Sequence, residues 1–478
     1  MLNKIAYIYL PGKESAILTT TPPTINDLPT EVLTRILDYF QDDVDSLQTF
    51  SLISRPFLFI CRRLLFSTLR INSLGSSFNH QCDRWMSILN HSTDFVASLR
   101  LLELGPPVFR LHSLDRKLCS DHWTQIVNQR VPSIHDSRVQ TIIRHAHNPQ
   151  TLILRFEHQA WKDFSLTFHE AVIELIQRET VSSLSLEDVV DFPMVALSGC
   201  RHLRDLCLVS SNICESVEAP GLSQNAALER SKGYLESLTL FASDQCVETL
   251  INVLSSPQSL LYLTNLRRLS INSTGLDGRC AMRKIPLIAR YITTLELRVG
   301  DQNGMYHLND SLSIKKKGNN HTNKVAYEIC NLCDFPNLRT LLLSISYNRR
   351  KRPIRDLAFF LSKSDSSTPS TLEELKILFR HDVPELQLEK SPQDTMHMFQ
   401  HKDWRIIEQK LCRPNLFPVL YRLCLGLRPK DVGAFMSESL KLGLKSSLGK
   451  LMPNLYAVID PIIEVFDGML LVDFFNSE

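Results

Sequence analysis

Cys330 and Cys333 flank two residues, Asn331 and Leu332. At that spacing a thiolate pair supplies half of a tetrahedral zinc site or cycles as a dithiol. No second pair and no histidines at zinc spacing accompany it, so the pair reads as a helix end inside an apolar core, with no metal and no cofactor expected. The 15 histidines are dispersed, among them His145, His147, His397 and His401, and none pairs with an evident nucleophile. G-x-S-x-G, the Walker loop, G-x-G-x-x-G and H-E-x-x-H are absent from the sequence, so no serine-hydrolase elbow, phosphate cradle or zinc-protease helix is written here. A chain with no catalysis of its own is the expectation. The basic runs Lys315-Lys316-Lys317 and Arg349-Arg350-Lys351-Arg352 read as solvated loops, with a nuclear-import signal or an acidic partner as the alternatives.

The elements that would carry a binding function are written in the composition. The chain has 478 residues and a formal charge of +2, from 53 Lys+Arg against 51 Asp+Glu. A general phosphate-backbone binder needs a clear basic excess, so nucleic acid is not an expected partner. Leucine occurs 75 times and glycine only 16. Few glycines disfavour nucleotide folds built on Gly-rich loops, and so many leucines favour a repeated leucine motif. The apolar run Ile5 to Leu10, ended by Pro11, lacks a small-residue cleavage site and does not fit a signal peptide. No stretch approaches about 18 uninterrupted apolar residues, so no membrane partner is expected. Of the 12 cysteines, Cys207 and Cys424 sit inside apolar repeat positions. That placement suits buried free thiols in a reducing compartment, and the localisation expected is cytoplasmic, nuclear or both.

Residues 1–24 form an N-terminal extension ending in a Thr/Pro-rich linker, and a compact helical module spans 25–71. Pro29 suits a first helical turn, and Glu31 suits the positive end of the helix dipole. Val32, Leu33, Ile36, Leu37 and Phe40 then recur as one stripe at helical period. Asp42, Asp43 and Asp45 mark a turn into a second short helix, and Ser54 is placed to cap a third that starts around Pro56. Three helices in about 47 residues are near the size where a lone core is marginal. Yet apolar residues are plentiful, and Ile53 and Phe57 lie near helix ends. Such a module is expected to bury part of its apolar surface on something else, either a partner or the domain that follows.

The pattern Leu28-Pro29-x-Glu31-Val32, the pair Ile36-Leu37, and Leu52-Ile53-Ser54-Arg55-Pro56-Phe57, continuing through Leu64-Leu65-Phe66-Ser67-Thr68-Leu69-Arg70-Ile71, resembles an F-box of the fungal type. The resemblance covers about a tenth of the chain. It departs at Phe57, where many members carry tryptophan, and at Pro56, where a basic residue is usual. It implies docking on a Skp-family adaptor of a cullin-RING ubiquitin ligase. Leu28, Pro29, Val32, Ile36, Ile53 and Phe57 would be the apolar contacts, and Glu31, Ser54 and Arg55 their polar neighbours.

From residue 72 to 478 the motif L-x-x-L-x-L recurs. It occurs at 99–104, 181–186, 203–208, 235–240, 266–271, 292–297, 338–343, 372–377 and 420–425, in shorter form at 151–154, and in degenerate form at 452–458. Helical patterns lie between, as at Phe168, Val172, Leu175 and Ile176, at Val247, Leu250, Ile251 and Leu254, and at Leu357, Phe360 and Leu361. The fold class expected is α/β: a three-helix F-box-like module followed by an irregular leucine-rich-repeat solenoid, with parallel strands on a concave face and helices on the convex one. The outward strand residues would include Glu103, Arg155, Glu187, Asp205, Phe241, Arg268, Ser270, Glu296, Arg298, Leu342, Glu374, Lys376 and Arg422. Acids and bases balance among them, which suits an unidentified protein substrate better than a polyanion. The resulting expectation is a substrate-recognition subunit of an SCF-type ligase. The alternative is a repeat scaffold or cargo-binding protein, unconnected with ubiquitin, whose helical module is only a cap.

Overall fold

Each of the ten leucine motifs forms a strand in the computed structural model. It describes residues 25, 28–41, 43–71, 77–91, 93–105, 137–156, 160–209, 211, 213–214, 233–241, 244–255, 259, 261–272, 290–299, 332–347, 354, 357–358, 361, 370–381, 403–413, 415–428, 442–443, 445–447, 449–450, 452–458 and 462–465. Cys330 and both basic runs lie outside the described residues. The chain divides into two units, Met1–Thr68 and Leu69–Glu478, so the boundary falls three residues before the expected end of the helical module at 71.

The first unit contains α1 (Thr30–Asp38), α2 (Val44–Phe50) and α3 (Arg55–Leu65). Pro29 is the N-cap of α1 rather than part of its first turn. Asp43 caps α2, accepting from the Ser46 amide at 3.0 Å and the Ser46 hydroxyl at 2.6 Å, and these bonds hold its carboxyl below the usual aspartate range. The core consists of Leu33, Leu37, Leu47, Phe57, Ile60 and Cys61, with Phe40, Phe50, Leu64 and Leu65 packed around it. The single stripe expected on α1 is thus divided. Leu33 and Leu37 point inward, while Val32 is exposed and Ile36 half-buried.

The second unit is α/β, built on one large sheet of twelve strands in strict chain order. These are β1 (Thr68–Ile71), β2 (Leu101–Leu104), β3 (Thr151–Arg155), β4 (Ser183–Glu187), β5 (Asp205–Val209), β6 (Ser237–Phe241), β7 (Arg268–Asn272), β8 (Thr294–Val299), β9 (Thr340–Tyr347), β10 (Glu374–His381), β11 (Arg422–Arg428) and β12 (Ile462–Val465). From β2 to β12 every pairing is parallel. The order is linear, so the sheet is open and not a closed barrel. The second leucine of each motif pairs with its counterpart next door, giving an unbroken row through Leu102, Leu152, Leu184, Leu206, Leu238, Leu269, Leu295, Leu341, Leu375 and Leu423, none more than 1% exposed. A one-residue slip would turn that whole row to the other face, so apolar burial sets the register. Helices Ser137–His145, Leu166–Ile176, Asp244–Leu254 and Asp403–Leu411 supply the other side of the same core.

A second device fixes the register where the strands begin. The amides of Gln150, Ser182, Arg204, Glu236, Arg267, Thr293, Arg339, Glu373 and Tyr421 each donate to the carbonyl of the preceding member of the series, starting from Arg100, at 2.7–3.1 Å. The main chain of this row is therefore satisfied internally, and its side chains are left half-buried or exposed.

The degenerate final motif at 452–458 forms a helix, Pro453–Val458, and the last strand follows it at β12. Pro453 needs no donor in a first helical turn. The buried Glu408 carboxylate accepts from the next two amides, Asn454 at 2.7 Å and Leu455 at 3.2 Å, which anchors the helix start.

Gly105, directly after β2, has φ +127° and donates its amide to the Ile71 carbonyl at 3.0 Å. A Cβ there would overlap the Arg155 carbonyl oxygen. Gly105→Ala combines a left-handed backbone with a main-chain clash, and its expected effect is a loss of about 2 kcal/mol or more. Denaturant unfolding of the variant checks this, and an unchanged midpoint would show that the turn relaxes freely.

Candidate binding surfaces

Helix α1 brings two apolar sets to opposite duties. Leu33 and Leu37 sit four residues apart and seal the core, whereas Val32 lies beside Leu33 on the uncovered side, preceded by Leu28 and Ile25. The Leu28 amide donates to the Ile25 carbonyl at 3.4 Å, and those of Val32 and Leu33 donate to Pro29 at 3.0 and 3.1 Å. A turn leading straight into the helix thus places Ile25, Leu28 and Val32 in succession. Ile53, just before α3, is 51% exposed, and Leu52 is 85% exposed. Among the described residues the first unit exposes eight large apolar side chains: these five with Tyr39, Val44 and Phe59. The described residues of the longer second unit expose seven. So dense an apolar surface on so small a unit is the usual mark of an interaction site.

Of the residues expected to contact an adaptor, Leu28, Pro29, Glu31, Val32, Ile53 and Arg55 are exposed and Ile36 is half-buried. Two behave differently. Phe57 is 1% exposed and packs against Phe50, with ring centroids 6.3 Å apart. It is a core residue that shapes the surface without presenting itself. Ser54 does stand at the N-cap of α3, but its side chain makes no capping bond, and its buried hydroxyl has no partner among the described residues. Leu52 belongs to the quoted motif but was not among the expected contacts, while Phe59 and Tyr39 were not singled out from the sequence, their only signal there being an apolar residue off the core stripe.

The face of the sheet opposite the helices carries the residues expected to meet a substrate. At its start they form a ladder of alternating charge. Arg70 Nε lies 2.9 Å from Glu103, Arg155 donates to both Glu103 and Glu187, and the Ser185 hydroxyl donates to Glu187 at 3.1 Å. The side chains of Arg155 and Glu103 are only 14% and 12% exposed. Burial opposes the Arg155 charge, but the two carboxylates outweigh it and hold the guanidinium pKa above its ordinary value.

Further along the face, the Ser270 hydroxyl donates to Glu296 at 2.7 Å. The buried Glu374 carboxylate receives Arg422 Nε at 3.1 Å and Lys376 Nζ at 3.4 Å. Phe241 is half-buried, Arg268 is exposed, Leu342 is buried, and the side chain of Arg298 lies outside the described residues. Glu103, Arg155, Glu187, Glu296, Glu374, Lys376 and Arg422 are therefore brought together with one another more than they are offered to a ligand.

Asp205 sits within this face with its pKa raised, first by burial and further by Glu236, against the opposing pull of Arg268 and a hydrogen bond with Ser237. Its folded carboxyl thus titrates above its unfolded one. The associated stability is complete below the unfolded pKa and is lost as pH rises through the folded value. Asp205→Asn is expected to be more stable than the parent at neutral pH, with the gap closing as pH falls through the raised folded value and being gone once the ordinary aspartate range is passed. Urea midpoints across that window check the sign, and a variant weaker at neutral pH would contradict it. The Cys200 and Cys246 thiols are pushed up to about 12 by burial, which makes them core groups and not nucleophiles.

Among the described residues no group of histidine, cysteine and carboxylate side chains is placed to hold a metal ion, and no helix is long and apolar enough to cross a membrane. No protein-family model matches the chain, and no curated protein matches it.

Proposed function

We propose that this chain is the substrate-recognition subunit of an SCF-type ubiquitin ligase. The three-helix unit is read as an F-box that docks on a Skp-family adaptor, and the sheet with its helices as a leucine-rich-repeat solenoid that holds a protein substrate. The single observation that carries the reading is the exposure of Leu28, Val32 and Ile53 at the motif positions whose apolar side chains an F-box turns toward its adaptor. On this reading the chain supplies no chemistry. It raises the rate of ubiquitin transfer by holding substrate near the ligase, where proximity replaces a bimolecular encounter, in the cytoplasm, the nucleus or both.

The direct test is co-purification of the full chain with a Skp adaptor, compared with Leu28→Ala combined with Pro29→Ala. Both residues are exposed, so the variant is expected to fold and to lose the adaptor. Retention of the adaptor at parental stoichiometry would show that the motif is not the docking surface, and would favour the scaffold reading.

A further inference from the structure

The strand-start row runs into a groove of about 520 Å³, inside the range of about 300–1,000 Å³ typical of ligand sites. Its walls are the turns before β8, β9, β10 and β11, and its key residues are Arg290, Tyr291, Arg339, Glu373, Pro418 and Val419. Several polar groups around it already serve the protein's own backbone. The Thr371 hydroxyl donates to the Pro336 and Leu338 carbonyls at 3.0 and 2.9 Å, and the Asn337 side-chain Nδ2 donates to the Arg290 carbonyl at 2.5 Å.

Among the described residues, two arginines at the groove are less fully engaged. The Arg290 guanidinium lies 5.3 Å from the centre of the Tyr291 ring and meets no carboxylate among the described residues. Arg339 stands 3.6 Å from Glu373, too long for a good charge-assisted bond, with a side chain 67% exposed. Beside them Tyr291 and Val419 are exposed, and so is Tyr421, whose amide donates to the Glu373 carbonyl at 3.1 Å. Two arginines against one glutamate, interleaved with exposed aromatic and aliphatic side chains, is the composition that concentrates binding energy at protein interfaces. The sheet face, by contrast, pairs most of its charges internally.

We propose that this groove binds an extended acidic peptide segment of a partner protein, with carboxylates on Arg290 and Arg339 and an apolar side chain against Tyr291 and Val419. The proposal rests on the substrate-holding half of the reading above and not on adaptor docking, so the test uses no adaptor. A fluorescein-labelled peptide of alternating glutamate and leucine is titrated with the full chain and followed by fluorescence polarisation, beside a lysine–leucine counterpart. Saturable binding of the glutamate peptide alone is expected. It should weaken at least about tenfold in Arg290→Glu/Arg339→Glu, and should weaken with added salt as screening predicts. If the charge-reversed protein does not fold, Arg290→Ala/Arg339→Ala carries the same test. Tyr291→Ala/Val419→Ala is expected to weaken binding without changing its salt dependence. Absence of saturable binding, equal binding of the lysine peptide, or indifference to the arginine substitutions would overturn the proposal. Peptide binding without an adaptor complex would leave the groove standing and remove the docking reading, and an adaptor complex without peptide binding would do the reverse.

Discussion

Val32→Asp combined with Ile53→Asp is expected to abolish adaptor capture while leaving the fold of the first unit intact. Both side chains are about half exposed, so a carboxylate in either place stays hydrated in the free protein and costs little stability. In a complex the same positions would lie in an apolar contact, where an unpaired charge is strongly unfavourable. Hot-spot truncations reach about 2 kcal/mol each, so the double variant should weaken binding by at least about a hundredfold. Phe57→Ala makes the contrast. That ring is 1% exposed and belongs to the core, so its removal should destabilise the unit by about 3–5 kcal/mol. Adaptor binding would then fall through unfolding, visible as a lost thermal transition. If the aspartate pair binds as the parent does, the exposed apolar residues serve something other than an adaptor.

The second large effect belongs to the charge ladder on the sheet. Arg155 lies between Glu103 and Glu187 and donates to both. Arg155→Met would keep the length of the apolar stem but leave the Glu187 carboxylate without its cation and Glu103 with only the exposed Arg70, two largely buried like charges on neighbouring strands. Breaking a buried pair from one side destabilises by about 3–5 kcal/mol, and the partial exposure of these groups places the expected loss near the lower end. Adding Glu103→Gln and Glu187→Gln to the same protein removes the uncompensated charge and should restore most of the stability. Chemical denaturation of the single and triple variants gives both numbers. A single variant as stable as the parent would mean that the ladder is loose, and that Arg155 is free to meet a ligand.

Why the strands were legible and the ladder was not comes down to distance along the chain. Each L-x-x-L-x-L run states its own alternation, so the ten strands could be placed from local pattern, and the helix Leu166–Ile176 from Phe168, Val172, Leu175 and Ile176. The pairing of Arg155 with Glu103 spans 52 residues and with Glu187 spans 32. It exists only because the strands lie in chain order and in register, which no single motif states. On α1, Val32, Leu33, Ile36 and Leu37 share one arc of the helix, and period alone does not say which half meets the core. The packing of Phe40, Phe50 and Phe57 decides it. At 452–458 the leucine pattern fits a strand as well as a helix, and the decision falls to Glu408, more than forty residues upstream.

The central claim is that the three-helix unit docks on a Skp adaptor, and calorimetric titration of the full chain with purified adaptor tests it most directly. The expected result is a one-to-one complex with Kd below about 1 μM, near −8 kcal/mol. A negative heat-capacity change, the mark of apolar burial, should accompany binding and be lost in the Val32→Asp/Ile53→Asp protein. Absence of a complex at tens of micromolar, or binding that the aspartate pair leaves untouched, would contradict it.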